Sequence, residues 1–183
     1  GVPKGVPIKH TNVRAYVDYL LQRYKPSPDD RFSQMFDLTC DLSIHDLFLC
    51  WGCGGSLYCV NDKQAMAPAR FIIKNDLTFW FSVPSVALFM KRFNMLREQC
   101  FPSLKVSLFC GEPLSSDVAS AWQGSASSSI LENIYGPTEA TIGIMHYRWS
   151  GDQSGKHKNG IVSIGSPFEG QGIKIVGLSL IHI

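Results

Sequence analysis

The chain has 183 residues, of which 45% are hydrophobic and 17% charged, a composition typical of a folded globular protein and not of a disordered chain. Its net charge of +2 comes from 17 Lys and Arg against 15 Asp and Glu, without the run of like charges that a nucleic-acid-binding tail needs. The longest apolar stretch, residues 77–90, is interrupted by polar residues and proline and falls short of the roughly 20 residues that span a bilayer, so we expect neither nucleic acid nor membrane as a partner.

The first part of the chain predicts two helices. Between residues 11 and 24, apolar side chains recur with the period of an amphipathic helix, and Thr11 or Asn12 is expected as its N-cap. Pro26 is expected to end this helix. A second, short helix is expected from Ser43-Ile44-His45-Asp46, which looks like a capping box ahead of further apolar residues.

Short strands and further helices are predicted beyond the second helix. Runs rich in large apolar and aromatic residues predict buried strands at 56–60, 77–83, 105–110 and 130–135. Helical spacing at 84–96 and 114–123 places helices between the later strands. This alternation predicts an α/β fold with a layered, largely parallel sheet flanked by helices. Residues 161–176, which are interrupted by Gly and Pro, are expected at a sheet edge or at the start of a smaller β region.

Six cysteines are interpreted as reduced residues of a cytoplasmic protein. Most of them lie in apolar stretches, and residues 1–9 lack the apolar core of a secretory signal. Cys50 and Cys53 form a C-x-x-C pair, which is found in redox centres and in zinc sites. A zinc site would need a second ligand pair and a redox site its own surrounding fold pattern, so we favour packing roles for both thiols.

Three segments contain the residues best suited to chemistry. They are Gly1-Val2-Pro3-Lys4-Gly5-Val6, Phe109-Cys110-Gly111-Glu112-Pro113 and Tyr135-Gly136-Pro137-Thr138-Glu139-Ala140-Thr141. The third segment puts functional side chains at the C-terminal end of a predicted strand, where open α/β sheets bind ligands. Tyr135 could stack on a base, Thr138 could donate to a phosphate oxygen, and Glu139 is a hard oxygen ligand suited to Mg²⁺. A structural turn with a solvated Glu is the alternative interpretation.

In their order and spacing, the three segments resemble the core motifs of the adenylate-forming (AMP-binding) superfamily. The resemblance is closest to the amino-acid adenylation domains of nonribosomal peptide synthetases and to D-alanine-activating ligases. It covers residues 1–176 and implies a truncated part of the large N-terminal domain of such an enzyme. Residues 177–183 depart from the family pattern and are interpreted as an atypical tail that could be foreign. Because other parts of the family's machinery are missing, we expect the chain alone to be inactive.

The resemblance also implies a reaction and a set of nucleotide-binding residues. A substrate carboxylate would attack the α-phosphate of ATP and expel pyrophosphate, and the acyl group would pass to the phosphopantetheine thiol of a carrier protein or domain. Lys4 and Gly5 would end the phosphate loop, Thr138 would meet the phosphate, and Glu139 would hold Mg²⁺, which makes Lys4, Thr138 and Glu139 the expected catalytic residues. The residues expected around the nucleotide's adenine are Gly111, Glu112, Pro113, Asn133 and Tyr135. Gly136 is also expected to bind the nucleotide.

An acid-binding pocket is implied by residues 36–48, which resemble the family's F-D-x-S motif, with Cys40 in place of an aromatic residue and His45 where Trp is common. Asp41 would pair with the α-ammonium of an amino acid, since a partly buried carboxylate without a cation is costly. Asp41 could instead be an acid that only stabilises a helix N-terminus. Asp37, in a similar Phe-Asp-Leu-Thr run, is the alternative candidate for the ammonium-binding carboxylate. The other expected wall residues are Leu42, His45, Phe81, Leu108, Cys110, Ile134, Ile142 and Gly143.

The wall residues and the motifs leave open the kind of acid that is bound and the class of enzyme within the superfamily. Most wall residues are apolar, which favours a small or medium substrate side chain without strong charge, although several of them could simply fill the core. An acyl-CoA ligase of the same superfamily would share the nucleotide motifs. A catalytically inactive nucleotide-binding module is a further alternative.

Overall fold

The computed structural model describes residues 5–151 and 157–175, without the side chains of His157 and Lys158. The helices are α1 (His10–Tyr24), α2 (Leu42–Cys53), α3 (Asp62–Ala65), α4 (Pro68–Lys74), α5 (Pro84–Arg92) and α6 (Ser116–Ser125). The strands are β1 (Arg31–Gln34), β2 (Ser56–Cys59), β3 (Phe79–Ser82), β4 (Val106–Phe109), β5 (Ile130–Tyr135), β6 (Met145–Arg148), β7 (His157–Lys158), β8 (Ile161–Val162) and β9 (Ser166–Pro167). No helix within the described ranges is long and apolar enough to cross a membrane.

A seven-stranded sheet organises the fold, in the order β2-β1-β3-β4-β5-β6-β9. Strands β1 to β5 pair in parallel, whereas β6 runs antiparallel to β5 and β9 antiparallel to β6. Strands β7 and β8 form a separate two-stranded ribbon. The predicted fold class, a layered α/β domain with a largely parallel sheet, is confirmed.

Two hydrophobic layers cover the two faces of the sheet. Helices α4, α5 and α6 pack on one face, where Trp80, Phe109 and Trp122 are fully buried. Helices α1 and α2 pack on the other face, together with Phe79 and Phe81. Alternate residues of β3 therefore serve opposite layers, as the two-residue period of a strand requires. The central strands are buried on both faces, which explains their nearly continuous apolar sequences.

A buried ion-pair network fixes α1 to the sheet. The carboxylate of Glu132, in β5, accepts two hydrogen bonds from Arg23 at 2.7 and 3.1 Å and one from the Tyr24 hydroxyl at 2.6 Å. Arg148 donates to it at 2.9 Å. Burial alone would raise the pKa of Glu132, but these donors hold that pKa below its ordinary value. The position of α1 relative to β5 is therefore set by charged hydrogen bonds as well as by packing.

The predicted capping arrangements are wrong at both helices of this layer. Helix α1 follows Lys9, not Thr11 or Asn12, and the N-cap of α2 is Asp41, whose side chain makes no capping bond. Ser43 already lies inside α2, where its hydroxyl donates to the Cys40 carbonyl oxygen at 2.7 Å. A capping box needs its serine in front of the helix, accepting a backbone N–H, so the pattern at residues 43–46 was misleading.

Several elements differ from the sequence-based prediction. Strand β1 was not predicted, because its residues Arg-Phe-Ser-Gln contain a single large apolar side chain, yet it lies between β2 and β3. Strand β2 was expected to be buried, but it is the edge strand and its ends are exposed. Helix α4 and the antiparallel strand β6 were also missed. The predicted edge character of the region after residue 161 is confirmed by β9, the last strand of the sheet.

Candidate functional site

The two motif loops meet at the carboxyl edge of the parallel strands. In the sheet register, Ser82 of β3 pairs with Phe109 of β4, which pairs with Asn133 of β5. The loop of Gly111 therefore leaves the sheet beside the loop of Gly136. This is the edge at which the sequence predicts a ligand site.

One cavity of about 330 Å³ opens between these loops. It is lined by all five residues that the resemblance implied around the nucleotide's adenine, by Gly136, and by Ile134, Ile161 and Ile164. Ile161 and Ile164 were not among the expected site residues. They come from the segment around β8, far along the chain, and no local sequence feature indicates that this segment folds back over the strand ends.

The side chain of Asn133 is oriented by backbone carbonyl groups. Its Nδ2 donates to the carbonyl oxygen of Ser163 at 3.0 Å, and that of Val162 lies at 3.5 Å. Carbonyl oxygens only accept, so these contacts identify the amide nitrogen, and the remaining atom, Oδ1, is an acceptor. Asn133 can therefore accept a hydrogen bond from an amino group in the cavity.

The first loop is shaped by Gly111 and by the carboxylate of Glu112. Gly111 has φ of +89°, a conformation that side-chain-bearing residues rarely adopt. The Glu112 carboxylate accepts from the backbone N–H of Ser85 at 2.8 Å and from its hydroxyl at 3.1 Å. It thus caps the first turn of α5, so its contribution to the cavity is to hold the loop in place.

A close backbone contact joins the second loop to the segment that follows it. A Cβ at Gly136 would lie 2.5 Å from the Cα of Gly143, so glycine is required there. Thr141 and Ile142 both have positive φ, 65° and 69°, and the Gly143 N–H donates to the Thr141 carbonyl oxygen at 2.8 Å. Positive φ is strained for a β-branched residue such as Ile142. The backbone strain therefore lies directly beside the predicted site.

A second cavity, of about 400 Å³, borders this strained segment, since Thr141 and Gly143 line it. Its lining includes Tyr16, Glu139, Thr141, Gly143 and Phe168. Glu139 is exposed in the 3₁₀ turn Thr138–Ala140, as is Thr138. The structure thus places the predicted metal ligand at the rim of a cavity next to the first one.

Of the two predicted phosphate-loop residues, the structure describes one. Lys4 lies outside the described residues. Gly5 is exposed, has no atom within 4 Å of the place where a side chain would begin, and lines neither cavity.

The predicted acid-pocket residues lie together on the face of the sheet that α1 and α2 cover. Six of them are buried in one hydrophobic cluster: Leu42, Phe81, Leu108, Cys110, Ile134 and Ile142. His45 and Gly143 are buried beside this cluster; the His45 ring lies 4.2 Å from that of Phe81, and a Cβ at Gly143 would touch Ile134. The residues expected as pocket wall are therefore packed as core residues in this structure.

The two candidate aspartates have different surroundings. Asp41 is half-buried at the N-terminus of α2, and its charge contributes to the raised pKa of Cys110, which burial brings to about 12. Asp37 is exposed, and its carboxylate accepts from the Thr39 backbone and hydroxyl at 2.8 and 2.7 Å. Those bonds hold the pKa of Asp37 below its ordinary value. Asp41 is thus next to the predicted wall, while Asp37 is engaged in a local surface turn.

The C-x-x-C thiols are held in their protonated form. Burial raises the pKa of Cys50 to about 12 and also raises that of Cys53, whose thiol donates to the Cys50 carbonyl oxygen at 3.2 Å. The thiolate is the form that attacks disulfides or binds metal, so this environment disfavours both roles. Among the described residues, no group of three or more His, Cys, Asp or Glu could hold a metal ion.

The mostly parallel sheet, with its motif loops meeting at the strand ends, defines a domain of the adenylate-forming class. The chain belongs to the AMP-binding enzyme family, whose sequence pattern matches residues 1–179. It is 33% identical over 145 residues to an L-proline–(L-prolyl-carrier protein) ligase of Pseudomonas fluorescens, a match that covers 78% of this chain and 29% of that protein. It is 28% identical over 162 residues to a D-alanine–D-alanyl carrier protein ligase of Bacillus licheniformis, covering 87% of this chain and 32% of that protein.

Solved structures show the same architecture. The crystal structure of IdnL7 superimposes with a TM-score of 0.88 at 38% identity, over 91% of this chain and 34% of that one. The adenylation domain AlmE of Vibrio cholerae, in complex with glycyl-adenosine-5'-phosphate, superimposes with a TM-score of 0.84 at 35% identity, over 90% of this chain and 30% of that one. The fold is that of the N-terminal domain of adenylate-forming enzymes, and the chain spans about a third of the relatives' length.

Proposed function

We propose that the complete protein to which this chain belongs activates an amino acid with ATP, as its acyl-adenylate, and passes it to the thiol of a carrier protein. The observation that carries this proposal is the cavity at the ends of β4 and β5, which gathers all five residues expected around an adenine. The relatives that are carrier-protein ligases favour the same activity. Residues 1–176 would contribute part of the large domain.

The nucleotide's adenine would lie in the first cavity. Tyr135 is 46% exposed at the end of β5, which leaves its ring available for stacking on a base. The Oδ1 atom of Asn133 would accept a hydrogen bond from the adenine amino group. Gly111 and Pro113 would border the ring, and Glu112 would keep their loop against α5. The adenine would thus be recognised by the shape of the cavity and by one hydrogen bond to its amino edge.

The phosphates would extend from the first cavity toward the second, past Thr138 and Glu139. Magnesium fits this place, because the ion commonly takes one or two carboxylates and completes its shell with water and substrate phosphates. Glu139 is such a carboxylate, exposed at the cavity rim. Bound Mg²⁺ would neutralise phosphate charge. Thr138 would donate its hydroxyl to a phosphate oxygen, and Lys4 would add a positive charge from the preceding loop.

The amino acid would lie between α2 and the sheet, with its α-ammonium paired to Asp41. A half-buried carboxylate is stabilised by such a cation, and the neighbouring Cys110 and Phe81 offer none. The remaining wall is mostly apolar, which favours a small or medium side chain without strong charge. The glycyl-adenylate bound to AlmE supports an aminoacyl-adenylate as the intermediate here. A phosphopantetheine thiol on the carrier would then accept the acyl group.

The test is amino-acid-dependent exchange of pyrophosphate into ATP by the complete protein, with thioester formation measured on a carrier protein and on free CoA. We expect exchange with at least one amino acid and a thioester on the carrier. Exchange with a non-amino acid and transfer to CoA would instead identify an acyl-CoA ligase. Nucleotide binding without acid-dependent exchange would indicate an inactive module.

A further inference from the structure

Tyr16 connects the two parts of the candidate site, although the motifs assigned it no role. This side chain of α1 is 5% exposed and lines the cavity that also contains Glu139 and Gly143. Its hydroxyl oxygen lies 2.8 Å from Nδ1 of His45 in α2. Tyr16 therefore contacts an expected wall residue of the acid pocket from the side of the expected phosphate site.

The ring of His45 is held from two directions. Phe81 packs on it with ring centroids 4.2 Å apart, and Tyr16 approaches at 5.9 Å with the ring planes at 62°. Helix α1, which carries Tyr16, is itself anchored to the sheet through the bonds to Glu132. Asp41 lies one helical turn before His45, a spacing that puts both on the same side of α2. His45 is thus a fixed group next to the expected position of the amino acid.

The hydrogen bond from Tyr16 determines which nitrogen of His45 carries the proton. Burial lowers the pKa of His45 to about 3 and raises that of Tyr16, so both side chains are neutral near pH 7. A neutral imidazole has one N–H donor and one bare acceptor nitrogen. Within residues 5–151 and 157–175, the Tyr16 hydroxyl has His45 as its hydrogen-bond partner. A protonated Nδ1 would leave the phenolic proton without an acceptor among the described residues, which favours donation from Tyr16 to bare Nδ1 and a hydrogen on Nε2.

The Nε2 atom remains open to a ligand. The described residues supply a partner to Nδ1 but none to Nε2. Yet Nε2 is not one of the fully enclosed atoms without a partner, which in the described part of the chain are Asp46 Oδ2 and Trp122 Nε1. Nε2 therefore keeps some accessible surface, although His45 as a whole is only 2% exposed.

We propose that Tyr16 is a specificity-determining residue that acts through His45. By holding His45 as an Nε2–H donor, it selects amino acids whose side chain carries a neutral hydrogen-bond acceptor, such as a hydroxyl or an amide carbonyl. This inference rests on the proposed function, because it concerns which acid that same site accepts. Tyr16 is a positioning residue and does not itself contact the acid's side chain.

The first experiment measures the His45 tautomer directly in the complete protein. Long-range proton–nitrogen NMR of ¹⁵N-histidine-labelled protein separates a bare ring nitrogen from a protonated one, and His45→Leu assigns the signal. We expect a bare Nδ1 and a protonated Nε2 in the wild type, and a loss of this single tautomer in Tyr16→Phe. A protonated Nδ1 in the wild type would overturn the proposal.

The second experiment measures selectivity with pairs of similarly shaped amino acids, threonine with valine and asparagine with leucine. We compare kcat/KM for pyrophosphate exchange within each pair. The wild type should favour the acceptor-bearing member of a pair by about tenfold, the effect of one hydrogen bond, and Tyr16→Phe should remove that preference. Tyr58→Phe, the same change at a half-buried tyrosine of β2, should keep it. In a His45→Leu background, Tyr16→Phe should have no further effect on the ratio.

The outcomes separate this inference from the function on which it rests. If Tyr16→Phe slows both members of every pair equally, Tyr16 is only structural and the inference is wrong while the proposed function stands. The same conclusion follows if the wild type shows no preference within any pair. If no amino acid supports exchange at all, the proposed function itself fails, and the specificity role fails with it.

Discussion

The two halves of the candidate site are built differently. The nucleotide half combines the end of β5 with exposed loops at the strand ends, shaped by glycines and by the capping carboxylate of Glu112. The acid half consists of side chains buried in the core between the sheet and helices α1 and α2. In the first half, residues can serve binding without supporting the fold. In the second, the proposed binding residues are also core residues, so the proposal ties substrate selection to stability.

The sharpest test of this contrast is a pair of aromatic truncations. Phe81→Ala should lower the free energy of unfolding by about 3–5 kcal/mol, because it opens a void in a closely packed cluster. Tyr135→Ala should change it by less than about 0.5 kcal/mol, since that ring is half in solvent. The same Tyr135 change should weaken ATP binding by about 1–3 kcal/mol through the lost stacking. Urea unfolding and calorimetric titration measure the two quantities, and equal destabilisation by both variants would remove the contrast.

Glu139→Gln should affect rate without affecting stability. The carboxylate is exposed in its turn and forms no ion pair within the described residues, so unfolding should be unchanged. Pyrophosphate exchange by the complete protein should fall by about 100-fold or more, a loss typical for removal of one group that stabilises transition-state charge. Glu169→Gln, at another carboxylate of the same cavity, serves as the comparison. A wild-type rate in Glu139→Gln would contradict the metal role.

The smallest expected effect is a dependence of folding stability on pH, and it arises in the acid half of the site. Burial raises the pKa of Asp46, on α2, well above its ordinary value, and its Oδ2 has no hydrogen-bond partner among the described residues. The folded state then holds a proton that the unfolded state releases above its lower pKa, so Asp46 makes the fold less stable as pH rises from about 4 toward the folded pKa. Asp46→Asn, which mimics the neutral acid, should be more stable than the wild type at pH 8, with a smaller difference at pH 5.

The comparison of Asp46→Asn with the wild type also controls for the titration of His45. The lowered pKa of His45 acts in the opposite direction, costing stability as pH falls below about 6.5, but it is present in both proteins and leaves their difference unchanged. A difference between Asp46→Asn and wild type that does not depend on pH would show that Asp46 is ionised in the fold.

The nucleotide half of the site could be predicted from the sequence more fully than the acid half. Gly111 and Tyr135 belong to contiguous motifs, so their place at one edge of the sheet could be predicted, and the structure brings them to one cavity. Strand β1 could not be predicted, because its burial comes from its place between two other strands and not from its own sequence. Ile164 and Tyr16 reach the site only through tertiary folding.

The acid half was predicted less completely for a physical reason. Phe81 and Leu108 would be apolar whether they line a pocket or fill a core, so their residue type does not separate the two roles. The pairing of Tyr16 with His45 joins residues 29 positions apart on different helices, and periodicity within one helix carries no information about such a contact.

The most direct test of a nucleotide site joined to an acid pocket is the affinity of a non-hydrolysable aminoacyl-adenylate analogue for the complete protein. We expect Asp41→Ala to weaken its binding by about 1.5–3 kcal/mol, the worth of one charged hydrogen bond, and Asp37→Ala to leave it unchanged. The loss in Asp41→Ala should vanish for the analogue without the α-amino group. An equal loss with both analogues, or no loss with either, would contradict the account.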